Sequence, residues 1–350
     1  MPAPSRVLLV VAHGGIGGMQ VQVGLLAQGL AAAGCEVVIA SGPGELDAGD
    51  VELRRLPALA ARTAPAFVGA LRGIVGELGP DVVHAHGLRL APFVSLGLRR
   101  RSLVTCHGVD PARLPRTAWM VRATRVAVAS CGEGPRRLLA AHGVASRVLN
   151  NAVPPMPAPI GRDALAGRFG LDPSTLLCVS PARLTDQKDP LTLVRALELA
   201  PGASGVLIGG GPLEGAVRAE VERLGVRGRV VVREWLDDAR ALLGGADVLG
   251  LASVWEGQPT VVLEAMAAGV AVVATGCPGT SDTVVDQVSG LLATPRDPVS
   301  LARALERACD ASLRARLVAG GRAQAADHRL DVVVGEHLAA YRRLLAGSWP

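Results

Sequence analysis

The stretch "RVLLVVAHGGIGGMQVQVGLLAQGLAAAG" (residues 6–34) decides the fold class. Its opening "RVLLVVA" is an aliphatic run that reads as a strand buried on both faces. The run stops at a glycine-rich loop, and the segment after it reads as a helix ended by Gly34. "CEVVIAS" (35–41) supplies the next strand. Strand, loop, helix and strand in this order predict a parallel sheet covered by helices, an α/β fold.

The same rhythm runs outward from there. "GIVGELGPDVVHAHG" (73–87) gives a helix end, a proline turn and a strand at 81–85. "RSLVTCHG" (101–108) and "RVAVAS" (125–130) are further strands. "NNAVPPMPAPIG" (150–161) carries four prolines, breaks the rhythm and reads as an interdomain linker. Strands then resume in "TLLCVSPARL" (175–184), "SGVLIGGGP" (204–212), "RVVVREW" (229–235), "ADVLGLAS" (246–253) and "VAVVAT" (270–275). The last segment, "HLAAYRRLLAG" (337–347), reads as an amphipathic helix. The expectation is two doubly wound, Rossmann-like domains in tandem, residues 1–152 and 153–330. A C-terminal helix within 331–350 would pack back on the first. In such sheets ligands bind at the carboxyl ends of the strands, here in a cleft expected between the domains.

Composition agrees with this plan and excludes several function classes. The 350 residues are 49% hydrophobic but only 2% aromatic, so the core must be aliphatic. No apolar run reaches the 18 or so residues that a membrane span needs. The start, "MPAPSRVLLVVAHGG", reads as a first strand rather than a signal peptide, which makes the cytoplasm the expected compartment. Six scattered cysteines with no CxxC pair point to buried free thiols, not to a metal site or a disulfide frame. The formal charge of +5 is unevenly shared. Residues 1–155 hold 16 Arg against 9 acids, and residues 156–350 hold 20 basic against 22 acidic residues. A basic first half suits an anionic partner such as a phosphorylated acceptor or a lipid surface; the plainer reading is arginines solvated on helix faces. Scarce aromatics argue against nucleic acid. Of the 36 basic residues 35 are Arg, and Lys188 is the single lysine.

Several local patterns carry chemistry. The loop "HGGIGGMQ" (13–20) follows a strand and opens a helix, where glycine frees backbone N–H groups to hold an anion. It matches neither the dinucleotide fingerprint nor a P-loop, and a merely tight turn is the alternative. "SPARLTDQKDPLTLVRAL" (180–197) puts Arg183 just past a strand and Lys188 ahead of a helix. Two cations so placed make a phosphate clamp; the alternative is two exposed charges. "IGGGPLEG" (208–215) is a second strand-to-glycine loop, and "TCHGVD" (105–110) puts His107 at a strand end facing the expected cleft, with a structural histidine as the alternative. In "SVWEGQPTVVLEAMAAG" (253–269) Glu256 lies in a loop before Pro259, and Glu264 lies in the helical run after it. A glycosidase pair would have to flank a bond, which one short loop–helix unit does poorly. A metal site lacks further ligands nearby, and no D-x-D motif occurs in the chain. Carboxylates that accept hydrogen bonds from sugar hydroxyls remain, with solvated helix charge as the bland alternative.

Taken together, "ARLTDQKD", "GGGP" and "SVWEGQPTVVLEAMAAGVAVVAT", with glutamates spaced E-x7-E, resemble the retaining GT-B glycosyltransferases of family 4. "GGIGGMQ", "PDVVHAHG", "TCHG" and "NNAVP" extend the resemblance over nearly the whole chain. It implies that Arg183 and Lys188 bind the diphosphate of a nucleotide-sugar donor. Glu256 would contact the donor sugar and Glu264 the ribose hydroxyls. Gly257, Gln258, Pro259 and Thr260 would bring backbone N–H groups to the helix start, and Gly210 would line the donor site. Gly17 and Gly18 would approach the diphosphate, His107 would lie beside the transferred sugar, and Gln20 would face the acceptor. His107, Arg183, Lys188 and Glu256 form the implied catalytic set. Neither a metal nor another cofactor would be required.

The implied reaction is sugar transfer with retention, attack coming from the leaving-group face, to a small-molecule or lipid acceptor. Peripheral membrane contact would run through the basic, apolar stretches "LGLRRRSLV" (96–104) and "RLPRTAWMVRATR" (113–125). Two departures bear on donor preference: Glu234 stands where the family usually has glycine, and Asp282 in "GCPGTSD" (276–282) replaces its glutamate. A nucleotide-sugar epimerase or hydrolase, and a non-catalytic nucleotide-sugar-binding protein, are the competing functions.

Overall fold

The computed structural model describes residues 4–15, 17–95 and 101–349. They fall into two compact units, Met1–Pro154 with His328–Pro350, and Pro155–Asp327. In the first unit seven strands form one sheet: β1 (Arg6–Val11), β2 (Glu36–Ser41), β3 (Glu52–Arg55), β4 (Val82–His86), β5 (Ser102–Cys106), β6 (Ala127–Ser130) and β7 (Arg147–Val148). Their spatial order is β3-β2-β1-β4-β5-β6-β7, and every pairing is parallel. The second unit holds β8 (Leu176–Pro181), β9 (Ala203–Ile208), β10 (Val230–Arg233), β11 (Val248–Leu251), β12 (Ala271–Thr275) and β13 (Leu291–Ala293). Their order is β10-β9-β8-β11-β12-β13, again all parallel.

The strands read as aliphatic runs because helices cover both faces of each sheet. Leu8, Leu9 and Val10 are all without solvent exposure although their side chains alternate across β1. Leu8 and Val10 belong to one apolar cluster, and Val7, Leu9 and Val11 to the other. The strand order reverses between β1 and β4 in the first sheet and between β8 and β11 in the second. At such a reversal the connections leave neighbouring strands toward opposite faces and open a crevice at their carboxyl ends. The loops after β1, β8 and β11, which hold Gly17, Lys188 and Glu256, lie at these reversals, whereas His107 and Gly210 follow the neighbouring strands β5 and β9.

The chain returns to the first unit through the helix Leu330–Leu345. It begins two turns earlier than the sequence pattern suggests. The run Val332–Val334 looks like a strand by propensity, yet Val333, Val334, His337, Tyr341 and Leu344 fall on one helical stripe and are buried. This stripe joins the core beneath the helix Gly18–Ala32, and Tyr341 is completely buried there. The short strands β3, β7 and β13 carry no long apolar run, and each lies at the edge of its sheet.

Where the chain leaves the first unit it is pinned by one side chain. Gln22 donates from Nε2 to the Ala152 carbonyl at 2.7 Å, and its Oε1 accepts from the Ala152 N–H at 2.7 Å. His328 Nδ1 lies 3.0 Å from the Asn151 carbonyl, and Val153 N–H donates to the His328 carbonyl at 2.8 Å. Departing and returning segments are thus bonded to each other. Gln22→Ala leaves both backbone groups of buried Ala152 without these partners. It is expected to lower unfolding free energy by about 2 kcal/mol, measured by chemical denaturation.

Candidate active site

The loop after β8 and the loop after β11 meet at the reversal of the second sheet. In the first of these, Lys188 N–H and Asp189 N–H both donate to the Thr185 carbonyl at 3.0 Å. Asp189 adopts a left-handed conformation (φ 42) and caps the helix Pro190–Leu199, its carboxylate accepting from Thr192 Oγ1 at 2.7 Å. Gln187 ties the loops together: its Nε2 donates to the Trp255 carbonyl at 3.1 Å, and its own carbonyl accepts from Val254 N–H at 2.9 Å. The result is an ion pair between Lys188 Nζ and Glu256 Oε1. Ser253 Oγ donates to the same oxygen at 2.6 Å. Glu256 Oε2 has no partner among the described residues.

The side chains of Lys188 and Glu256 are 16% and 7% exposed, so each charge has lost most of its water and is compensated mainly by the other. The backbone of Glu256 is fixed as well, its N–H donating to the Pro278 carbonyl at 2.9 Å. Pro278 belongs to the loop "GCPGTSD". Gly279 there has φ 86, and a side chain on it would run into the Glu256 and Gly257 carbonyls. Asp282 closes this turn by accepting from Gly279 N–H at 3.3 Å. The loop that departs from the family pattern therefore buttresses Glu256.

Thr260–Ala268 is the helix that follows, with Pro259 at its N-cap and no side-chain cap. Pro259 carries no N–H, which corrects the expectation that it donates; its carbonyl accepts from Val262 N–H at 3.0 Å. The uncapped first turn leaves N–H groups and the positive end of the helix available to an anion. One turn in, Glu264 pairs with Arg240 Nε at 3.2 Å. Burial pushes its carboxyl above the usual range, and Arg240 opposes that shift. Arg183 is exposed, and among the described residues no hydrogen bond or ion pair links it to Lys188, Glu256 or Glu264. The glycine loop after β9 packs on this segment through Gly209 and Gly211, whose missing side chains would strike the Ala182 and Leu184 carbonyls. Gly210, the expected one, has room for a side chain.

In the first unit, Gly17 precedes and Gly18 begins the helix Gly18–Ala32 after β1. Gln20 is buried, and its amide donates to the His13 carbonyl at 3.3 Å, bracing the glycine loop. His107 follows β5, half-buried, with Nε2 at 2.9 Å from His86 Nδ1. Burial lowers its pKa to about 4, with the charge of His337 adding to the effect, so the ring is neutral at ordinary pH. Among the described residues no group of three or more His, Cys, Asp or Glu side chains is arranged to hold a metal.

Sequence reading missed Gln187, Ser253, Arg240 and His86. Nothing marks Arg240 among 35 arginines, whereas the H-x-H alternation in "VVHAH" does place His84 and His86 on one face of β4. A carboxyl with a raised folded pKa stabilises the fold at low pH, and this contribution is lost as pH rises through that pKa. Glu264 therefore weakens the fold at neutral pH relative to acid pH. Glu264→Gln is expected to melt at or above the wild-type temperature at pH 7, with the gap closing on acidification, followed by thermal scans.

The comparisons with known proteins bear on the family and the fold. Residues 16–155 match the family model described as Glycosyltransferase Family 4, and residues 173–311 match that of Glycosyl transferases group 1. A 2-deoxystreptamine glucosyltransferase of Streptomyces kanamyceticus is 32% identical over 285 residues, which cover 76% of this chain and 71% of that protein. A lipopolysaccharide core biosynthesis glycosyltransferase (LpsE) of Rhizobium meliloti is 35% identical over 144 residues, 41% of this chain and 42% of the relative. The chain spans less than half the length of the first curated relatives it matches. A crystal structure of Anabaena HepE with UDP-glucose superposes with a TM-score of 0.79 at 17% identity, covering 96% of this chain and 98% of the other. From the two family matches and the Streptomyces relative it follows that the chain belongs to the family 4, group 1 glycosyltransferases, built on the two-domain GT-B fold.

Proposed function

We propose that this chain transfers a sugar from a nucleoside diphosphate sugar to an acceptor hydroxyl, with retention of anomeric configuration and without a metal. The ion pair of Lys188 and Glu256 beside an uncapped helix start carries this reading. Such a place suits a ligand that is anionic at one end and rich in hydroxyls at the other. Lys188 and the exposed Arg183 hold the diphosphate, joined by the N–H groups of the helix start. Glu256 accepts from the transferred sugar through Oε2, and Glu264 from the ribose. Gly17 and Gly18 are assigned to the diphosphate, His107 to the sugar and Gln20 to the acceptor. As the anomeric carbon–oxygen bond breaks, negative charge gathers on the departing diphosphate, and preplaced cations and N–H dipoles lower that barrier by several kcal/mol. The acceptor oxygen bonds to the anomeric carbon on the same face, and its proton passes to the leaving phosphate oxygen. The UDP-glucose bound by the Anabaena protein supports a nucleotide-sugar donor. The acceptor named for the Streptomyces relative, 2-deoxystreptamine, supports a small-molecule acceptor.

The test uses purified protein, a panel of nucleotide sugars and pooled acceptors, with products read by NMR. Lys188→Ala is expected to cut transfer by at least about 100-fold, and wild-type rates with chelator present are expected. An inverted product, or donor consumed equally well without acceptor, would sink the reading.

A second, compatible reading concerns where the acceptor lies. The helix Leu114–Thr124 exposes Trp119 (73%) among Arg113, Arg116, Arg122 and Arg125, all exposed. Residues 96–100 of the neighbouring basic stretch lie outside the described residues. Among the described residues no helix is long and apolar enough to cross a membrane. A tryptophan flanked by arginines suits the headgroup region of an anionic bilayer. Flotation with phosphatidylglycerol vesicles is expected, and loss of it in Trp119→Ala; equal flotation with neutral vesicles would refute the electrostatic part.

A further inference from the structure

Behind His107 three buried imidazoles, those of His84, His86 and His337, pack together in the first unit. His84 and His86 lie on the same face of β4 with ring centroids 4.2 Å apart, 0% and 3% exposed. His84 is held at both nitrogens: Nδ1 at 2.8 Å from Tyr341 Oη and Nε2 at 2.7 Å from Thr105 Oγ1. His337 stands 5.9 Å from His84, ring to ring, and its Nδ1 is taken by the Val333 carbonyl at 2.8 Å. His86 Nδ1 reaches His107 Nε2, while His86 Nε2 is buried with no partner among the described residues. The edges of His86, His107 and His337 line one small cavity with Gln22, Asn150 and Asn151.

We propose that His86 is a positioning residue for His107, steadied through His84 by Tyr341 of the C-terminal helix, and that it fixes His107 as the tautomer protonated at Nδ1. The reasoning is a count of protons. Only one hydrogen can lie between His86 Nδ1 and His107 Nε2 when both rings are neutral. A buried N–H without a partner costs more than a buried bare nitrogen without one. The unpartnered His86 Nε2 is therefore the bare one, so His86 carries its proton on Nδ1 and donates it to His107 Nε2. His107 must then carry its own proton on Nδ1, an atom with no partner among the described residues. It presents a hydrogen-bond donor to an oxygen lone pair and no positive charge. The charges felt at His86 are those of His84, His107 and His337, so protonating one ring opposes protonating the next.

This inference rests on His107 touching the transferred sugar for its catalytic consequence, but not for its structural test. Protein labelled with 15N-histidine is followed by NMR across pH 5–8 without substrate. Wild type is expected to show His107 neutral throughout and protonated at Nδ1. In His86→Met both His107 tautomers are expected to appear, whereas His86→Gln, whose amide can still donate, keeps the wild-type tautomer. A wild-type His107 protonated at Nε2, or an unchanged tautomer in His86→Met, overturns the proposal. Should His86→Met fail to fold, the wild-type and His86→Gln spectra still decide it. In transfer assays His86→Met is expected to lower kcat about tenfold, with donor KM within about twofold. Absence of any transferase activity would defeat the functional reading and leave the NMR result standing.

Discussion

The buried contact between Lys188 and Glu256 is the constraint around which the second unit is arranged. Neither charge is stable alone in so little water, and removing one partner would strand the other. The pair exists only because parallel strands β8 and β11 are neighbours though 66 residues separate their ends, Pro181 and Val248, in sequence. Gln187 sets the distance between the loops, Ser253 satisfies the shared oxygen, and the Gly279 turn holds the Glu256 backbone. Such a pair contributes little net stability for its desolvation. Its use lies in keeping a cation and a carboxylate oriented before a ligand arrives, so that little reorganisation accompanies binding.

The two units solve their polar problems differently. The second relies on ions: Lys188 with Glu256, and Arg240 with Glu264. In the first, His84, His86, His107 and His337 are driven toward the neutral state, and Tyr341 is kept protonated, mainly by burial. Imidazoles without charge pack in a core at far lower cost than carboxylates and can still direct a hydrogen bond.

Much of this was legible in the sequence wherever period and punctuation agree. The long aliphatic strands, the glycine loop before Gly18 and the proline-rich stretch after Asn151 all announce themselves. Lys188 and Glu256 stood out by rarity and spacing. What stayed hidden depends on tertiary partners. β3, "ELRR", has no apolar face to betray it because it lies at the sheet edge. Val332–Val334 contradict their own propensity because one helical stripe finds a core to fill. That Gly209 and Gly211 are needed for packing after β9 is revealed only by the nearness of the Ala182 and Leu184 carbonyls. Arg240 acquires meaning solely from its neighbour Glu264.

The return of the helix Leu330–Leu345 has a consequence for synthesis on the ribosome. The second unit is one continuous segment, complete once Asp327 has emerged, and it can close while translation continues. The first unit, although made earlier, waits for Val334, Tyr341 and Leu344 to fill its core. Until then Leu26, Leu30 and the imidazole of His84 face a missing layer. The half of the protein that is born first is thus the half that matures last.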